Sequence, residues 1–241
     1  MKGAPEIRRS PRRLNPNVES LELDVGAIVD VTVAGGVADA VFVLTDDFRV
    51  VCVNSWNPAV DELAAVPLGD EPDRDSWSDH VRHPKLHISH EGAFAAVVND
   101  FGQYGTVVDL RTGRATMTLN GGGYHPETVP FSATFAVHDG RPVLVHRTEW
   151  NRLDVSDPAD GTLLTERGPT AYGRDEERPP NYLDYFHGRL FLSPTGRRLL
   201  DDGWVWHPVG IPTAWSLDRW LSDNVWESET GTSRVNLAAR D

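Results

Sequence analysis

The sequence predicts an all-β, β-propeller-like fold of about four blades, each blade a four-stranded antiparallel sheet. The main observation is residues 86–119, where four short apolar or alternating runs are joined by turns. A second copy of this pattern covers residues 131–165, and a third begins near residue 187. Apolar–acidic–apolar triplets, the last with serine in place of the acid, recur at about the period of propeller repeats, with an insertion before the last one. We therefore expect one β domain over residues 18–241, preceded by a disordered tail over residues 1–17.

The first predicted blade, residues 18–68, is the least regular. Alternation over residues 18–25 predicts a half-buried strand, and three further apolar runs follow. The last run, residues 60–68, is ambiguous, because its Asp-Glu-Leu-Ala-Ala stretch also suits a helix. Residues 69–85 are polar, charged and interrupted by prolines, which predicts a long loop. The predicted strands after the first are residues 28–33, 40–44, 50–54 and 60–68.

The next two predicted blades, residues 86–119 and 131–165, are the clearest. In the first of them, short turns at 90–92 and 111–114 separate the strands, and residues 99–105 are predicted as a loop. The predicted strands of the two blades are residues 86–89, 93–98, 106–110, 115–119, 131–137, 142–146, 152–155 and 162–165.

The fourth predicted blade, residues 187–237, looks unfinished. Its first three strands are followed by helical spacing over residues 218–226, which predicts a short helix. Only residues 234–237 remain as a candidate last strand. We therefore expect an incomplete or open ring, and either self-association or an unknown protein partner. The predicted strands are residues 189–192, 197–201 extended by 203–207, and 211–217.

Two signatures align the copies and carry a family resemblance. A turn before the second strand ends in Gly92, Gly140 or Gly196, and the third strand ends in the triplet 108–110, 153–155 or 215–217. The Ser-Pro-Thr-Gly turn and the Val-Val-Asp-Leu-Arg-Thr-Gly strand and turn resemble WD40-like and related bacterial β-propeller repeat proteins. The sequence departs from that class in having no Trp-Asp dipeptide. The resemblance implies propeller architecture and a bias towards binding.

Composition limits the function classes. A net charge of −13 argues against nucleic acid, because such proteins need clustered cations. No apolar run approaches the length of a membrane span, and the Arg8-Arg9 pair is not followed by the apolar stretch of an export signal. We therefore expect a cytoplasmic protein without a membrane contact. The single cysteine, Cys52, excludes an intrachain disulfide and is predicted to be a small buried hydrophobe.

The predicted site lies at the edge of the sheets where the long connections gather. Connections 69–85, 99–105, 120–130, 146–151, 166–187 and 203–210 all fall on this edge. Loops carry function more often than the strands they join, so this edge is the site hypothesis. The predicted contact residues are Tyr104, Tyr124, His125, Glu149, Trp150 and Trp206. Other aromatic or histidine residues on this edge are Trp77, His80, His83, Phe101, His146, Tyr172, Tyr182 and His207.

The favoured function is a non-catalytic binding module without a cofactor, but two alternatives remain open. One is a metal-assisted hydrolase or lyase that uses histidines and carboxylates of this edge. The histidine run at positions 80, 83, 87 and 90 argues against a metal, because Pro84 prevents a common helix. Only His80 and His83 remain as a partial site. The other alternative is a structural fragment whose partner supplies the rest of a ring.

Overall fold

A computed structural model describes residues 25–54, 60–73, 78–206 and 209–237. These residues form four antiparallel sheets, which we number as blades 1 to 4 in chain order. In the part of the chain that the structure describes, helical structure is confined to two short α-helices and one 3₁₀ turn, Pro126–Thr128. The predicted all-β fold is confirmed.

Blade 1 has four strands in sequential order. Its last strand settles the ambiguity at residues 60–65, because Val60 pairs with Val53 and the segment is a strand rather than a helix. Most of the predicted strand at 18–25, and the tail before it, lie outside the described residues. The strands are β1 Ile28–Thr32, β2 Ala40–Thr45, β3 Arg49–Asn54 and β4 Val60–Ala65.

Blade 2 also has four strands in sequential order, and two predicted boundaries within it were wrong. Its first strand begins at His83 rather than after residue 85, because an edge strand tolerates Pro84. The predicted loop 99–105 shortens to residues 101–103, because Asn99 and Asp100 still pair with the first strand and Tyr104 with the fourth. The strands are β5 His83–Ile88, β6 Phe94–Asp100, β7 Tyr104–Asp109 and β8 Arg114–Asn120.

Blade 3 has three strands, not the predicted four. The predicted strand at 162–165 is reduced to a single bridge between Ser156 and Leu163. The predicted loop 146–151 was also wrong, because the second strand continues to Glu149 and leaves only residues 150–151 as the turn. The strands are β9 Ala133–His138, β10 Arg141–Glu149 and β11 Arg152–Ser156.

Blade 4 has five strands, and the two helices lie between the fourth and the fifth. The strand predicted at 211–217 ends at Ser216, whose side chain accepts a hydrogen bond from the backbone N–H of Arg219 and starts the first helix. The elements are β12 Phe186–Leu192, β13 Arg198–Val205, β14 Val209–Gly210, β15 Thr213–Ser216, α1 Leu217–Ser222, α2 Glu227–Thr230 and β16 Val235–Asn236.

The blades are arranged side by side around their first strands. β1 packs beside β5, β5 beside β9, and β9 beside β12. Each pair of consecutive blades shares a buried apolar core, which we call seam 1/2, seam 2/3 and seam 3/4. This arrangement confirms the predicted propeller-like architecture. Among the described residues, no apolar core joins blade 4 to blade 1.

The two edges of the blades differ. On the turn edge, tight turns follow the first strand of blades 2, 3 and 4, and their glycines adopt positive φ values of 71°, 74° and 71°. On the opposite edge, which we call the link edge, the chain passes from one blade to the next. The described parts of these links are long, at residues 66–73 and 78–82, 121–132, and 166–185, the last after a hairpin that returns along β11. The predicted site therefore combines these links with the turns within blades that lie on the same edge, such as the turn between β10 and β11.

Candidate binding cleft

Four of the six predicted contact residues form one aromatic cluster at the link edge of seam 3/4. The ring centroids of Tyr124 and Trp150 are 5.1 Å apart, and those of Tyr124 and His125 are 4.7 Å apart. The ring of His125 in turn lies 5.2 Å from that of Trp206. Side chains from the link before blade 3, the turn between β10 and β11, and blade 4 thus meet at one place.

Further rings extend this cluster in both directions. Tyr182 lies 6.1 Å from Trp150 and 5.3 Å from Tyr172, so both tyrosines of the last link join it. Beneath them, Phe186 lies 4.8 Å from Trp150 and 5.4 Å from Trp204. Phe186 is buried and was not predicted as part of the site.

Four rings of the cluster, those of Tyr124, Trp150, Tyr172 and Tyr182, surround a cleft that opens to solvent, whereas His125 and Trp206 do not line it. Its volume is about 430 Å³, within the range of small binding sites. The fifth predicted residue, Glu149, lines the cleft beside Trp150 and supplies a carboxylate. The full lining is Tyr124, Glu149, Trp150, Ala171, Tyr172, Gly173, Arg174 and Tyr182.

Local backbone geometry explains how the link reaches the cleft. Gly122 has φ of 81°, and a Cβ there would lie 2.5 Å from a carboxylate oxygen of Glu149, so only glycine fits. His125 has φ of 45°, in the left-handed region that few non-glycine residues adopt. Pro126 then begins the 3₁₀ turn. These features turn the chain so that Tyr124 and His125 face blade 4.

Tyr182 keeps its phenol proton in the cleft. Burial raises the pKa of Tyr182 to about 12, and the carboxylate of Asp184 adds to the increase. The guanidinium of Arg178 lies 4.3 Å from the centre of the Tyr182 ring, in a cation–π contact. The neutral phenol is able both to donate and to accept a hydrogen bond.

Tyr104 does not belong to this cleft. It begins β7 in blade 2, where its backbone N–H donates to Glu71 of the link between blades 1 and 2. Within the described part of the chain, its ring contacts no other aromatic ring. The structure therefore separates Tyr104 from the other five predicted residues.

The remaining link-edge residues are dispersed. His80 stacks on Phe101 at 4.3 Å, and His83 lies 3.7 Å from the buried Asp100. His146 lies inside β10, where its ring nitrogen is 3.0 Å from the hydroxyl of Ser156, so the predicted strand 142–146 was right to include it and the predicted loop 146–151 was wrong. Trp77 and His207 lie outside the described residues.

Two negative findings apply to the described residues alone. No three histidine, cysteine, aspartate or glutamate side chains there are close enough to hold a metal ion together. No helix there is both long and apolar enough to cross a membrane.

A buried arginine closes seam 2/3 at the same edge. Arg147 on β10 donates to the carbonyl of Gly102 at 2.8 Å, and its guanidinium lies 4.9 Å from the ring centre of Phe131. Gly121 lies directly against it, because a Cβ there would be 2.5 Å from its Nε. Burial lowers the pKa of Arg147 to about 10, which leaves the group charged at neutral pH.

A buried ionic network supports the other side of blade 3. Arg167 binds Asp154 and also Glu229 of α2, the latter at 2.5 Å, and all three side chains are buried. Burial alone would raise the pKa of Asp154, but the hydrogen bond from Arg152 and the charge of Arg167 hold it below its usual value. The acidic residue of the sequence triplet is therefore the centre of a network that ties the helices to blade 3.

Another buried pair lies beneath the cleft and was missed in the sequence. The ring of His187 on β12 lies 2.6 Å from a carboxylate oxygen of Asp201 on β13, and the backbone N–H of Gly188 donates to the other oxygen. By distance from the turn glycine, His187 corresponds to His83 of blade 2, but Asp201 corresponds to Val97 and Val145, so the repeat did not mark the pair. The pair fixes β12 to β13 beside Phe186.

Comparisons with known proteins give similarity in three dimensions only. No protein-family model matches the sequence, and no curated protein matches it. The chain is similar to solved structures of hydrazine synthase from Kuenenia stuttgartiensis, with 16% identity over 83% of this chain and 49% of that one and a TM-score of 0.48. It is also similar to the WD40 repeats of RRP9, with 14% identity, coverage of 90% and 52%, and a TM-score of 0.47. A third similar structure is an oligogalacturonate lyase in complex with manganese, with 10% identity over 84% of this chain and 50% of that one and a TM-score of 0.45. The chain spans about half the length of the solved structures it matches.

Proposed function

We propose that the protein is a non-catalytic binding module, and that it contacts its partner through the cleft at the link edge of seam 3/4. The observation that carries the proposal is the exposure of the aromatic cluster. Tyr124, Tyr172 and Trp206 are 47%, 43% and 42% exposed, although they belong to one connected set of rings. Exposed aromatic residues around a cleft are typical of contact surfaces.

The lining favours a peptide segment of a partner protein over an apolar small molecule. Ring faces of Tyr124, Trp150 and Tyr182 supply flat apolar area, as in grooves that bind extended or proline-containing segments. Glu149 and Arg174 supply an acceptor and a donor at the same cleft. A peptide backbone needs both, because each residue brings an N–H and a carbonyl group.

The test is capture of a partner from extract of the source cells by immobilised protein. We expect Tyr172→Ala to reduce the captured partner about tenfold or more, because a tyrosine ring that contacts a partner is worth about 2 kcal/mol. Tyr172→Phe retains the ring and should capture nearly as much as the original protein.

The matched control is Leu164→Ala, which removes an apolar side chain of similar exposure, 41%, outside the cleft. This variant should capture the partner normally. If Tyr172→Ala and Tyr124→Ala capture as much partner as Leu164→Ala, the cleft is not the contact surface and the proposal fails.

A further inference from the structure

Blade 4 carries an apolar row on the face that points away from blade 3. Phe191 pairs with Leu200, Leu200 with Ala214, and Ala214 with Val235, so the row crosses four strands. Directly paired residues project from the same face of a sheet. Leu199 and Trp215, next to the row, project from the opposite face into seam 3/4. We call the face towards the following blade the trailing face and the face towards the preceding blade the leading face.

The equivalent row in blade 2 shows what normally covers a trailing face. There His87 pairs with Ala96, Ala96 with Val107, and Val107 with Met117. Ala96 and Val107 are fully buried, because blade 3 packs on them in seam 2/3. In blade 4, by contrast, both ends of the row, Phe191 and Val235, are 46% exposed. In the described part of the chain, no blade covers this row.

Blade 1 carries an apolar leading face at the other end of the series. Val31, Val43 and Val51 form one cross-strand row, and Val41, Val53 and Val60 form the next. The central valines are buried with Val25 packed near them, whereas Val31 and Val60 at the outer positions are exposed. Within the residues described, no blade packs against this face.

We propose that a second copy of the chain joins these two faces. All three seams pack the trailing face of one blade on the leading face of the next. The same contact made once more would place blade 4 of one copy on blade 1 of the other. Made in both directions, it closes a two-fold ring of about eight blades, which is within the range of propellers. The cleft of seam 3/4 lies on the other side of blade 4, so this inference does not depend on the proposed function.

The first test is the mass in solution by light scattering. The original protein should have twice the 26.7 kDa of one chain, and Phe191→Asp should have the mass of one chain. Val137→Asp is the matched control, because Val137 is 45% exposed on blade 3 and lies outside the row. It should remain a dimer. A single-chain mass for the original protein at all concentrations, or a dimer of folded Phe191→Asp, would overturn the proposal.

The second test covers the case in which Phe191→Asp fails to fold. Val31→Cys and Phe191→Cys are made separately with Cys52→Ala, mixed, and treated with a short bis-maleimide. The ring predicts crosslinked dimers in the mixture and none from either variant alone, because each contact joins blade 4 to blade 1. Crosslinking of one variant to itself, or none in the mixture, would refute the ring.

Discussion

Seam 2/3 and seam 3/4 lie on the two faces of blade 3 and end differently at the link edge. Seam 2/3 is closed there by Arg147, with the backbone at Gly121 against its guanidinium. Seam 3/4 ends in Trp150, Tyr124 and other rings, which leave a cleft of about 430 Å³. One buried side chain packed against a glycine therefore fills the end of seam 2/3, because the glycine leaves room for it. At the end of seam 3/4, several large rings from different segments meet and leave a space between them.

The interiors of the two seams are alike in being apolar and buried, so the seams differ only at the link edge. Seam 2/3 packs aliphatic and phenylalanine side chains such as Val107, Leu144 and Phe135. Seam 3/4 packs Val145 and Leu153 against Trp215 and Trp220. Both interiors are apolar and fully buried at their centres. The cleft is therefore a feature of the link edge and not of the blade interiors.

The largest expected effect on stability follows removal of the buried guanidinium of Arg167 from the ionic network beside seam 3/4. Arg167→Met should lower the free energy of unfolding by about 3–5 kcal/mol, because it leaves Asp154 and Glu229 buried without their partner. Denaturant unfolding measures this change. Arg197→Met removes the exposed pair with Asp218 and should cost about 0–1 kcal/mol. Equal losses in the two variants would contradict a buried network.

A smaller effect is expected from pH at seam 2/3. Burial lowers the pKa of His87 to about 4, and the charges of Lys85 and Arg189 act in the same direction, against the opposing effect of Asp30. The folded protein thus keeps His87 neutral while the unfolded chain takes up a proton near pH 6.5. Stability is full above pH 6.5 and is lost as the pH falls towards 4, by up to about 3 kcal/mol.

Denaturant unfolding of the His87→Gln variant between pH 7 and 4 measures how much of the pH-dependent loss of stability is due to His87. The variant should lose less stability over that range than the original protein. Some loss should remain, because burial also lowers the pKa of His146. Parallel pH profiles for the two proteins would show that His87 is accessible to protons in the folded state.

The seal of seam 2/3 can be broken by a single methyl group. In Gly121→Ala, the added Cβ would lie 2.5 Å from Arg147 Nε and 2.9 Å from the Phe131 ring. We expect a loss of about 1–3 kcal/mol, because the seam must expand to accommodate it. Gly123→Ala is the control two residues further on, where the nearest atom would be 3.6 Å away. A thermal scan in which both variants unfold together would refute the seal.

The smallest effect on stability is expected at the rim of the cleft. Tyr172→Ala should change the free energy of unfolding by less than about 0.5 kcal/mol, because its ring is exposed. Trp150→Ala should cost about 1–2 kcal/mol, because that ring packs on the buried Phe186 at 4.8 Å. Calorimetry of both variants measures the difference. A large loss for Tyr172→Ala would mean that the rim is part of the core.

Much of the fold could be predicted from local pattern. The strands of blade 2 were recognisable because apolar runs alternate with glycine turns, and Gly92, Gly140 and Gly196 do occupy positive-φ turns. The end of β10 was not recognisable, because His146 and Arg147 are typical loop residues. Their burial depends on the hydroxyl of Ser156 and the carbonyl of Gly102, which are distant in sequence.

The candidate site was predictable only in part, because local pattern shows which residues lie in connections but not which of them meet. Tyr124, Trp150 and Trp206 stood out as aromatic residues in connections, and the structure brings them together, Trp206 through the ring of His125. Tyr104 shows the same local pattern but starts a strand in blade 2. The position of an aromatic residue along the chain shows that it lies at the link edge, but it does not show at which seam. Only the packing of blades 3 and 4 decides which rings meet.

The network of Arg167 and Glu229 has a consequence during synthesis on the ribosome. Blade 3 is translated well before α2, so Asp154 and Arg167 leave the ribosome while Glu229 has not yet been added. Until then, Arg167 lacks one of its two carboxylates and the two tryptophan rings, Trp220 and Trp226, that lie over it at 6.0 and 5.3 Å. A nascent chain stalled before residue 217 should therefore hold blade 3 in a protease-sensitive form. Release of the helices would then complete the seam in a single late step.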